Sequence, residues 1–341
     1  MVAWELAKAA HSVDLFEQGQ LMSATSSAST KLLHGGLRYL ENGEVSLVRE
    51  GLRERAWWLQ AAPHLTQVIE LVFLVYEDSP RPRWKMKLGM MLYDGLAGAR
   101  SIGRHRWLSR DEVARLLPNL KREGLQGGYL FRDCQMDDYS LGCWAAEQAR
   151  SAGVKVHEHT RVDRITTEGV VEVQGIARRY DRVMNIAGPW AAEVLRKSGV
   201  PHKHDLDLVR GSHLLLDRSI PCGAMLQVRG ERRIFFVLPY QGQTLLGTTE
   251  VRQSLEEPIE CSESEAEYLI NAYNAYFGDA ITQADVSRSF AGVRPLVHSH
   301  RDPSKATREY AIERCGQVIS VFGGKWTTSR ALAKRVIARV H

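Results

Sequence analysis

The chain has 341 residues, 44% of them hydrophobic, which is enough to bury a substantial core and favours two domains. Its formal charge of +5 suits an anionic substrate, an anionic cofactor or an acidic membrane surface, and is too small to predict nucleic-acid binding. The sequence has no apolar run of about 18 or more residues and no signal-peptide pattern, so we expect an intracellular protein without a transmembrane helix. The five cysteines lack C-x-x-C spacing, which argues against a metal site, an iron–sulfur cluster or a disulfide framework.

The first elements look like half of a dinucleotide-binding unit. Residues 5–10 have the pattern of a helix end, and residues 12–17 that of a short strand ending at Glu17. In a βαβ dinucleotide-binding unit, an acidic residue at this point accepts hydrogen bonds from a ribose. The strand and the G-x-G-x-x-G turn that open such a unit are not in the sequence. We therefore expect a Rossmann-like domain whose first strand is missing.

A hydroxyl-rich run followed by a double glycine is the most informative feature. Residues 25–30 include five hydroxyl side chains, and Gly35-Gly36 and Arg38-Tyr39 come soon after. Hydroxyls and free backbone N–H groups near a helix start can hold a pyrophosphate, and glycine lets the backbone approach a flat ring. An ordinary Ser/Thr-rich helix cap is the alternative interpretation of the run taken alone.

The rest of the chain alternates between helical and strand patterns. Residues 46–62 predict an amphipathic helix and residues 68–76 a β-branched strand. Residues 81–94 interleave cations with Trp, Met and Leu, a pattern typical of a membrane-surface helix and equally of a helix packed on a sheet. Further helices are predicted at 138–150, 262–277 and 327–340, and strands at 154–162, 169–173, 182–186, 212–216, 234–238, 244–247 and 317–321.

Short motifs recur in a fixed order along nearly the whole chain. Each is weak alone, and the ordered set is specific. With the run at 25–41, the set resembles the FAD-dependent, aerobic-type glycerol-3-phosphate dehydrogenases, a family within the glycine and D-amino-acid oxidase-like flavoproteins. The downstream motifs occupy residues 133–138, 185–190, 210–213, 247–250, 292–296, 307–310 and 322–328.

This resemblance implies an α/β fold, α+β overall, in which a Rossmann-like FAD-binding domain is interleaved with an antiparallel-sheet substrate domain. The FAD-binding domain is expected at residues 1–66, 135–205 and 316–341, and the substrate domain at 67–134 and 206–315. Because the family commonly continues into a helical C-terminal domain, the chain is interpreted as a catalytic body shortened at both ends.

The resemblance also implies an activity: oxidation of sn-glycerol 3-phosphate to dihydroxyacetone phosphate by hydride transfer from C2 to flavin N5, with quinone as the electron acceptor. A related oxidase of glycerol 3-phosphate, 2-hydroxyacids or amino acids, and a truncated form that no longer binds FAD, are the alternatives. The expected location is the cytoplasm, or peripheral attachment to the cytoplasmic face of the inner membrane. The oligomeric state stays open, with a homodimer among the states considered.

The substrate must be held by its phosphate and must lose a hydroxyl proton. Arginine suits a dianionic phosphate because its planar fork donates two hydrogen bonds and keeps its charge. His213 is the preferred proton acceptor, since an imidazole titrates near neutral pH. His34, the second histidine considered, is expected to contact the flavin. The resemblance assigns catalysis to His213, Arg294 and Lys325, and substrate binding to Arg38, Tyr39, Arg294, Arg308 and Lys325.

The FAD site implied by the resemblance draws on five stretches of sequence. Near Lys325, free N–H groups at a helix start would stabilise negative charge on reduced flavin. The expected FAD contacts are Glu17, Thr25, Ser26, Ser27, Lys31, Leu32, His34, Gly35, Gly36, Val162, Gly188, Trp190, Gly323, Gly324, Lys325, Trp326 and Thr327.

Overall fold

The computed structural model describes residues 1–228, 230–231, 233–298 and 310–340. Helices and strands are numbered in chain order. The helices are α1 Val2–Lys8, α2 Val45–Ala61, α3 Arg83–Ala97, α4 Arg110–Leu116, α5 Asp138–Ser151, α6 Ala191–Ser198, α7 Glu263–Tyr276 and α8 Ser329–Ile337. The strands are β1 Asp14–Phe16, β2 Leu32–Leu33, β3 Thr66–Tyr76, β4 Arg106–Ser109, β5 Leu125–Met136, β6 Lys155–His157, β7 Val162–Ile165, β8 Val170–Val173, β9 Ile176–Arg179, β10 Val183–Asn185, β11 Leu206–Leu216, β12 Gly223–Gln227, β13 Ile234–Tyr240, β14 Gln243–Gly247, β15 Val251–Arg252, β16 Val286–Val297, β17 Ala311–Cys315 and β18 Val318–Phe322.

The cofactor region has a parallel sheet in two pieces. Strand β1 pairs in parallel with β6, and β10 pairs in parallel with β18, which also pairs with β17. In the described part of the chain, no strand is hydrogen-bonded to both β1 and β10. A Rossmann-like region without its first strand is therefore what the structure shows. A meander of β7, β8 and β9 completes this region.

The larger region is a ten-stranded sheet in the order β15-β11-β14-β13-β12-β3-β5-β2, with β16 on β11 and β4 on β5. Its pairs are antiparallel except that of β12 with β3. Along β3, Leu71, Phe73 and Val75 enter one core and the alternate residues enter the other. Both faces are thus buried along residues 71–76, which explains why this part of β3 is apolar without interruption. Helices α4 and α7 cover one face, and α3 covers part of the other.

Most predicted elements are confirmed, and two differ at their ends. The segments at 46–62, 68–76, 138–150 and 262–277 form α2, β3, α5 and α7. The segment at 154–162 is interrupted by a turn, so that β6 and β7 are separate strands. Helix α8 begins at Ser329, because the preceding residues form a loop that lines a large cavity between the two regions. The domain boundaries remain a prediction.

Candidate active site

A cavity of about 2180 Å³ lies between the cofactor region and the large sheet. Both regions contribute to its wall, so the fold brings together residues that are far apart in sequence, such as Ser26 and Trp326, which are 300 positions apart. Most of the predicted site residues line it. They are Glu17, Thr25, Ser26, Ser27, Lys31, Leu32, His34, Gly36, Arg38, Tyr39, Val162, Gly188, Trp190, Arg294, Gly323, Gly324, Lys325, Trp326 and Thr327.

The hydroxyl-rich run forms a short 3-10 turn, Thr25–Ser27, on the cavity wall. Two hydrogen bonds fix it from opposite directions: Thr25 Oγ1 donates to the carbonyl of Val293 at 2.9 Å, and Trp326 Nε1 donates to the carbonyl of Ser26 at 2.6 Å. These bonds tie the run to β16 and to the loop before α8. The run is therefore a preformed part of the cavity wall rather than a conventional helix cap.

Lys31 is buried, and its ammonium group has protein partners. Its Nζ donates to Asp138 Oδ1 at 2.6 Å and to the carbonyl of Ser27 at 2.8 Å, and lies 4.9 Å from the centre of the Phe290 ring. The other Asp138 oxygen accepts from the N–H and hydroxyl of Ser29. Lys31 and Asp138 thus brace the hydroxyl-rich run against the start of α5.

Gly35 lies behind the cavity wall, and Gly36 lies in it. The N–H of Gly35 donates to both carboxylate oxygens of buried Asp133 at 3.3 Å. A Cβ at Gly35 would overlap the Tyr93 hydroxyl and lie 2.6 Å from Leu52 Cδ2, so no larger residue fits. Gly36 has φ +83°, a left-handed conformation that glycine adopts without strain, and it opens the turn that carries Arg38 and Tyr39.

The loop between β18 and α8 faces this turn. Gly323 and Gly324 both have positive φ, at 81° and 107°. The ammonium group of Lys325 lies 4.0 Å from the centre of the Tyr39 ring, a cation–π contact that joins the two loops. Behind them, Trp58 Nε1 donates to the carbonyl of Thr327 at 3.2 Å. Lys325 therefore projects toward the same part of the cavity as Tyr39.

Arg294 lies in the wall formed by β16. Its Nη2 donates to Thr248 Oγ1 at 2.9 Å and its Nη1 to the carbonyl of Thr249 at 3.3 Å. A Cβ at Gly211 would lie 2.6 Å from Arg294 Cζ, so the guanidinium packs flat on glycine backbone. The predicted substrate residue Arg308 lies outside the described residues.

His213 is buried and is not part of the cavity lining. Its Nε2 lies 2.9 Å from Thr30 Oγ1, and Thr30 does line the cavity. Its ring stacks on Phe290 at 4.9 Å, and Nδ1 has no hydrogen-bond partner among the described residues. Burial, then the positive charges of Arg294 and Lys31, lowers the pKa of His213 well below its ordinary value. His213 is therefore hydrogen-bonded to the cavity wall through the Thr30 hydroxyl.

Four supporting residues are not among the predicted site residues. Asp133 and Asp138 hold the loops at Gly35 and Lys31, and Thr248 and Thr249 contact Arg294. All four lie inside motifs of the sequence, at 133–138 and 247–250. Their positions could thus be found from sequence, whereas their partners, such as Tyr93, depend on the fold.

The cavity fits FAD in three respects. Glu17 follows β1 and lines the cavity, where a carboxylate can accept hydrogen bonds from ribose hydroxyls. Nothing lies within 4 Å of the place where a Cβ at Gly188 would be, so that backbone faces open space. The loop at Gly323 and Gly324 lies near the N-terminus of α8, where backbone N–H groups stabilise negative charge. Residues of the predicted FAD set thus surround one continuous space.

The chain belongs to the family of FAD-dependent oxidoreductases, because residues 1–339 match the family model described as "DAO: FAD dependent oxidoreductase". FAD is the cofactor of this family. The chain is 35% identical over 350 residues to a glycerol-3-phosphate dehydrogenase of Pseudomonas tolaasii, with 96% of the chain and 66% of that protein covered. It is also 35% identical to the D-erythritol 1-phosphate dehydrogenase of Brucella abortus (strain 2308), with 96% and 68% covered. The chain thus spans about two thirds of the length of these relatives.

Solved structures confirm the fold. A glycerol-3-phosphate dehydrogenase from Bacillus halodurans complexed with FAD superposes with a TM-score of 0.79 at 23% identity, covering 99% of this chain and 61% of that one. A glycine oxidase from Geobacillus kaustophilus superposes with a TM-score of 0.77 at 20% identity, covering 99% and 90%. In the part of the chain that the structure describes, no helix is long and apolar enough to cross a membrane, and no cluster of His, Cys, Asp or Glu could hold a metal ion.

Proposed function

We propose that the chain oxidises sn-glycerol 3-phosphate to dihydroxyacetone phosphate. The observation that carries this proposal is that Arg38, Arg294 and Lys325 line one cavity together with the loops of the cofactor region. Three cations around one space suit a dianionic phosphate, and a guanidinium can bind two of its oxygens at once. Two of the relatives are named for glycerol 3-phosphate and D-erythritol 1-phosphate, both phosphorylated polyols.

The chemistry that FAD supplies when bound is the acceptance of a hydride from the substrate carbon. The chain's own residues then have two tasks. Arg294 holds the phosphate, with Lys325 and Tyr39 on the facing loops. Thr30, which lines the cavity and contacts His213 Nε2, takes the hydroxyl proton while passing its own to the imidazole. The lowered pKa of His213 keeps the ring neutral at pH 7 and disfavours its protonated form, so the proton must leave the ring again rather than stay on it.

Anaerobic reduction of the protein-bound flavin tests the reaction. We expect sn-glycerol 3-phosphate to bleach the visible absorption of the flavin, and an equal concentration of glycerol to leave it unchanged. Arg294→Lys keeps one charge and loses the planar fork, so its KM for the phosphate substrate should rise about tenfold or more, a loss of about 1.4 kcal/mol. Arg132→Lys, at an exposed pair with Glu70, is the matched control and should leave KM unchanged. Equal reduction by glycerol would overturn the proposal.

We also propose that a quinone accepts the electrons, as the family resemblance implies. The test is reoxidation of the substrate-reduced protein by a water-soluble quinone analogue in the absence of oxygen. Turnover with the quinone and little turnover with oxygen supports the proposal. Turnover with oxygen alone would instead favour the related oxidase, and a colourless purified protein would favour a form that binds no FAD.

We propose that helix α3 attaches the protein to an acidic lipid surface on the cytoplasmic face of the inner membrane. Its inner face packs through Met86, Met90 and Tyr93. Its outer face exposes Trp84, Leu88, Met91 and Leu92, with Trp84 66% exposed, and carries the exposed cations Arg83, Lys85 and Lys87. Apolar side chains between cations are the pattern that binds anionic lipid headgroups.

Sedimentation with lipid vesicles tests this attachment. The protein should bind vesicles containing phosphatidylglycerol more strongly than neutral vesicles, and more weakly as the salt concentration rises. Leu88→Ser should weaken binding. Ile176→Ser is the matched control because Leu88 and Ile176 are both 58% exposed and Ile176 lies on β9, in another part of the fold. Equal losses from the two variants would overturn a specific role for α3.

A further inference from the structure

Arg294 depends on a short turn for its orientation. Both of its observed hydrogen bonds end on Thr248 and Thr249, which follow β14. The flat contact with Gly211 prevents the guanidinium from moving toward β11. A change in the position of the turn would therefore change where the guanidinium points in the cavity.

The turn is held from behind by Thr249, whose side chain is buried. Thr249 Oγ1 accepts a hydrogen bond from the N–H of Ser212 at 2.8 Å and donates one to Glu265 Oε1 at 2.6 Å. The hydroxyl of Ser212 donates to the same carboxylate oxygen at 2.8 Å. Thr249 thus links the wall that carries Arg294 to a carboxylate on α7.

Glu265 is 4% exposed and does not line the cavity. Its second oxygen, Oε2, accepts from the Ser262 hydroxyl at 2.8 Å, which closes the capping box at the start of α7. The same oxygen accepts from Arg210 Nε at 2.9 Å and Nη2 at 2.8 Å. Capping α7 requires only Oε2, so it does not account for the two hydroxyls donated to Oε1.

We propose that Glu265 is a positioning residue: through Thr249 it holds Arg294 in the orientation that binds the substrate phosphate. The inference rests on the proposed function, because it assigns the phosphate to Arg294. A buried carboxylate that accepts short hydrogen bonds on both oxygens has little freedom to move. A threonine side chain fixed by two hydrogen bonds is held in place in the same way. Because this link already holds Arg294 in place, its side chain loses less conformational entropy when a phosphate binds.

A matched series at threonine positions tests the link. Thr249→Val keeps the shape and removes the hydroxyl, and Thr249→Ser restores it. Thr244→Val is the control: Thr244 is also buried, lies on the adjoining strand, β14, and donates its hydroxyl at 2.6 Å to the carbonyl of Arg218, away from Arg294. The dissociation constants of inorganic phosphate and sn-glycerol 3-phosphate are measured by calorimetry on the purified protein, with Tm and steady-state KM and kcat alongside.

Thr249→Val should weaken both ligands about tenfold and raise KM more than it lowers kcat, and Thr249→Ser should bind within about threefold of the wild type. Thr244→Val should lower Tm and leave both dissociation constants unchanged. If Thr249→Val does not fold, Thr249→Ala replaces it with the same expectation. Wild-type-like ligand binding by Thr249→Val or Thr249→Ala would overturn the inference and leave the proposed function standing. A wild-type protein that binds neither ligand would overturn the proposed function, and the inference with it.

Discussion

Two buried carboxylates, Asp133 and Glu265, support different stretches of the cavity wall and differ in the direction of their pKa shift. They are 3% and 4% exposed, so surface exposure does not distinguish them, although Asp133 lies deeper in the protein than Glu265. Burial raises the pKa of Asp133 above its ordinary value, and Arg55 and the backbone N–H groups only partly oppose this. Burial also acts to raise the pKa of Glu265, but hydrogen bonds from Thr249, Ser212 and others outweigh it, and the pKa is lowered.

The two carboxylates also differ in the geometry of their donors. Asp133 accepts from Gly35 at 3.3 Å and from Tyr93 at 3.4 Å, and its contact with Arg55 Nη1 is 3.0 Å. The side-chain donors to Glu265 lie at 2.6 to 2.9 Å. Short bonds from hydroxyls and a guanidinium replace the water that a carboxylate loses on burial, whereas long ones do so poorly. Keeping Asp133 ionised beside Gly35 is therefore electrostatically unfavourable, whereas keeping Glu265 ionised among its donors is not.

Asp133→Ala should have the largest effect on stability. It removes the acceptor for the buried donors of Arg55, Gly35 and Tyr93 and leaves a cavity, which costs about 3–5 kcal/mol in the free energy of unfolding. Urea denaturation measures the loss. Glu70→Gln is the control, since it breaks the exposed pair with Arg132 and should cost less than about 1 kcal/mol. Similar losses in the two variants would mean that the donors around Asp133 find other partners once its carboxyl group is removed.

Gly35→Ala should have the next largest effect. The added methyl group would overlap the Tyr93 hydroxyl and press on Leu52, and such overpacking costs about 1–3 kcal/mol. Gly89→Ala, in α3 with nothing within 4 Å of the new methyl group, should instead stabilise the protein by up to about 1 kcal/mol. Thermal and urea denaturation give both values. A neutral Gly35→Ala variant would show that the Asp133 cluster can relax, contrary to the tight packing around Gly35.

The sequence predicts more of the surroundings of Asp133 than of the surroundings of Glu265. The double glycine at 35–36 and the motif at 133–138 mark both ends of the Gly35–Asp133 contact in the amino-acid sequence itself. No sequence motif predicts that Arg55 and Tyr93 contact Asp133, because an arginine or tyrosine on an amphipathic helix gives the same sequence pattern whether it is buried or exposed. Glu265 appears in sequence as a capping-box residue after Ser262, which predicts the start of α7 and nothing about Thr249.

The residues of the cavity lining also divide into those that sequence motifs place and those whose surroundings depend on packing. The motif residues Lys325, in the loop before α8, and Arg294, on β16, both line the cavity, and their roles there stay a prediction. Lys31 and His213 fit the same motifs, yet Lys31 is paired with Asp138 and His213 reaches the cavity through Thr30. Their partners Asp138, Phe290 and Thr30 come from α5, β16 and the hydroxyl-rich run, and only the packing of those segments decides whether a cation or an imidazole faces the cavity or the interior.

The pH dependence of stability has the smallest expected effect and tests the comparison most directly. For a carboxyl whose pKa is lowered by folding, stability is present above the pKa of the unfolded chain and is lost as pH falls through the folded-state pKa. The advantage of wild type over Glu265→Gln should therefore be largest near neutral pH and should shrink in acid. For Asp133, whose pKa is raised, the folded state binds its proton more tightly than the unfolded chain does. The advantage of wild type over Asp133→Asn should then shrink as pH rises above the ordinary aspartate range.

Urea denaturation of the wild type, Glu265→Gln and Asp133→Asn is carried out between about pH 4 and pH 7, just above the ordinary pKa values of carboxyl groups. It measures how the difference in free energy of unfolding between the wild type and each variant changes with pH. Opposite signs would show that folding favours the neutral form of Asp133 and the ionised form of Glu265 behind the two parts of the cavity wall. Two slopes of the same sign would contradict this account. In that case the Arg55 pair would hold Asp133 ionised as firmly as the hydroxyls hold Glu265, and the cavity wall at Gly35 would carry no electrostatic cost at neutral pH.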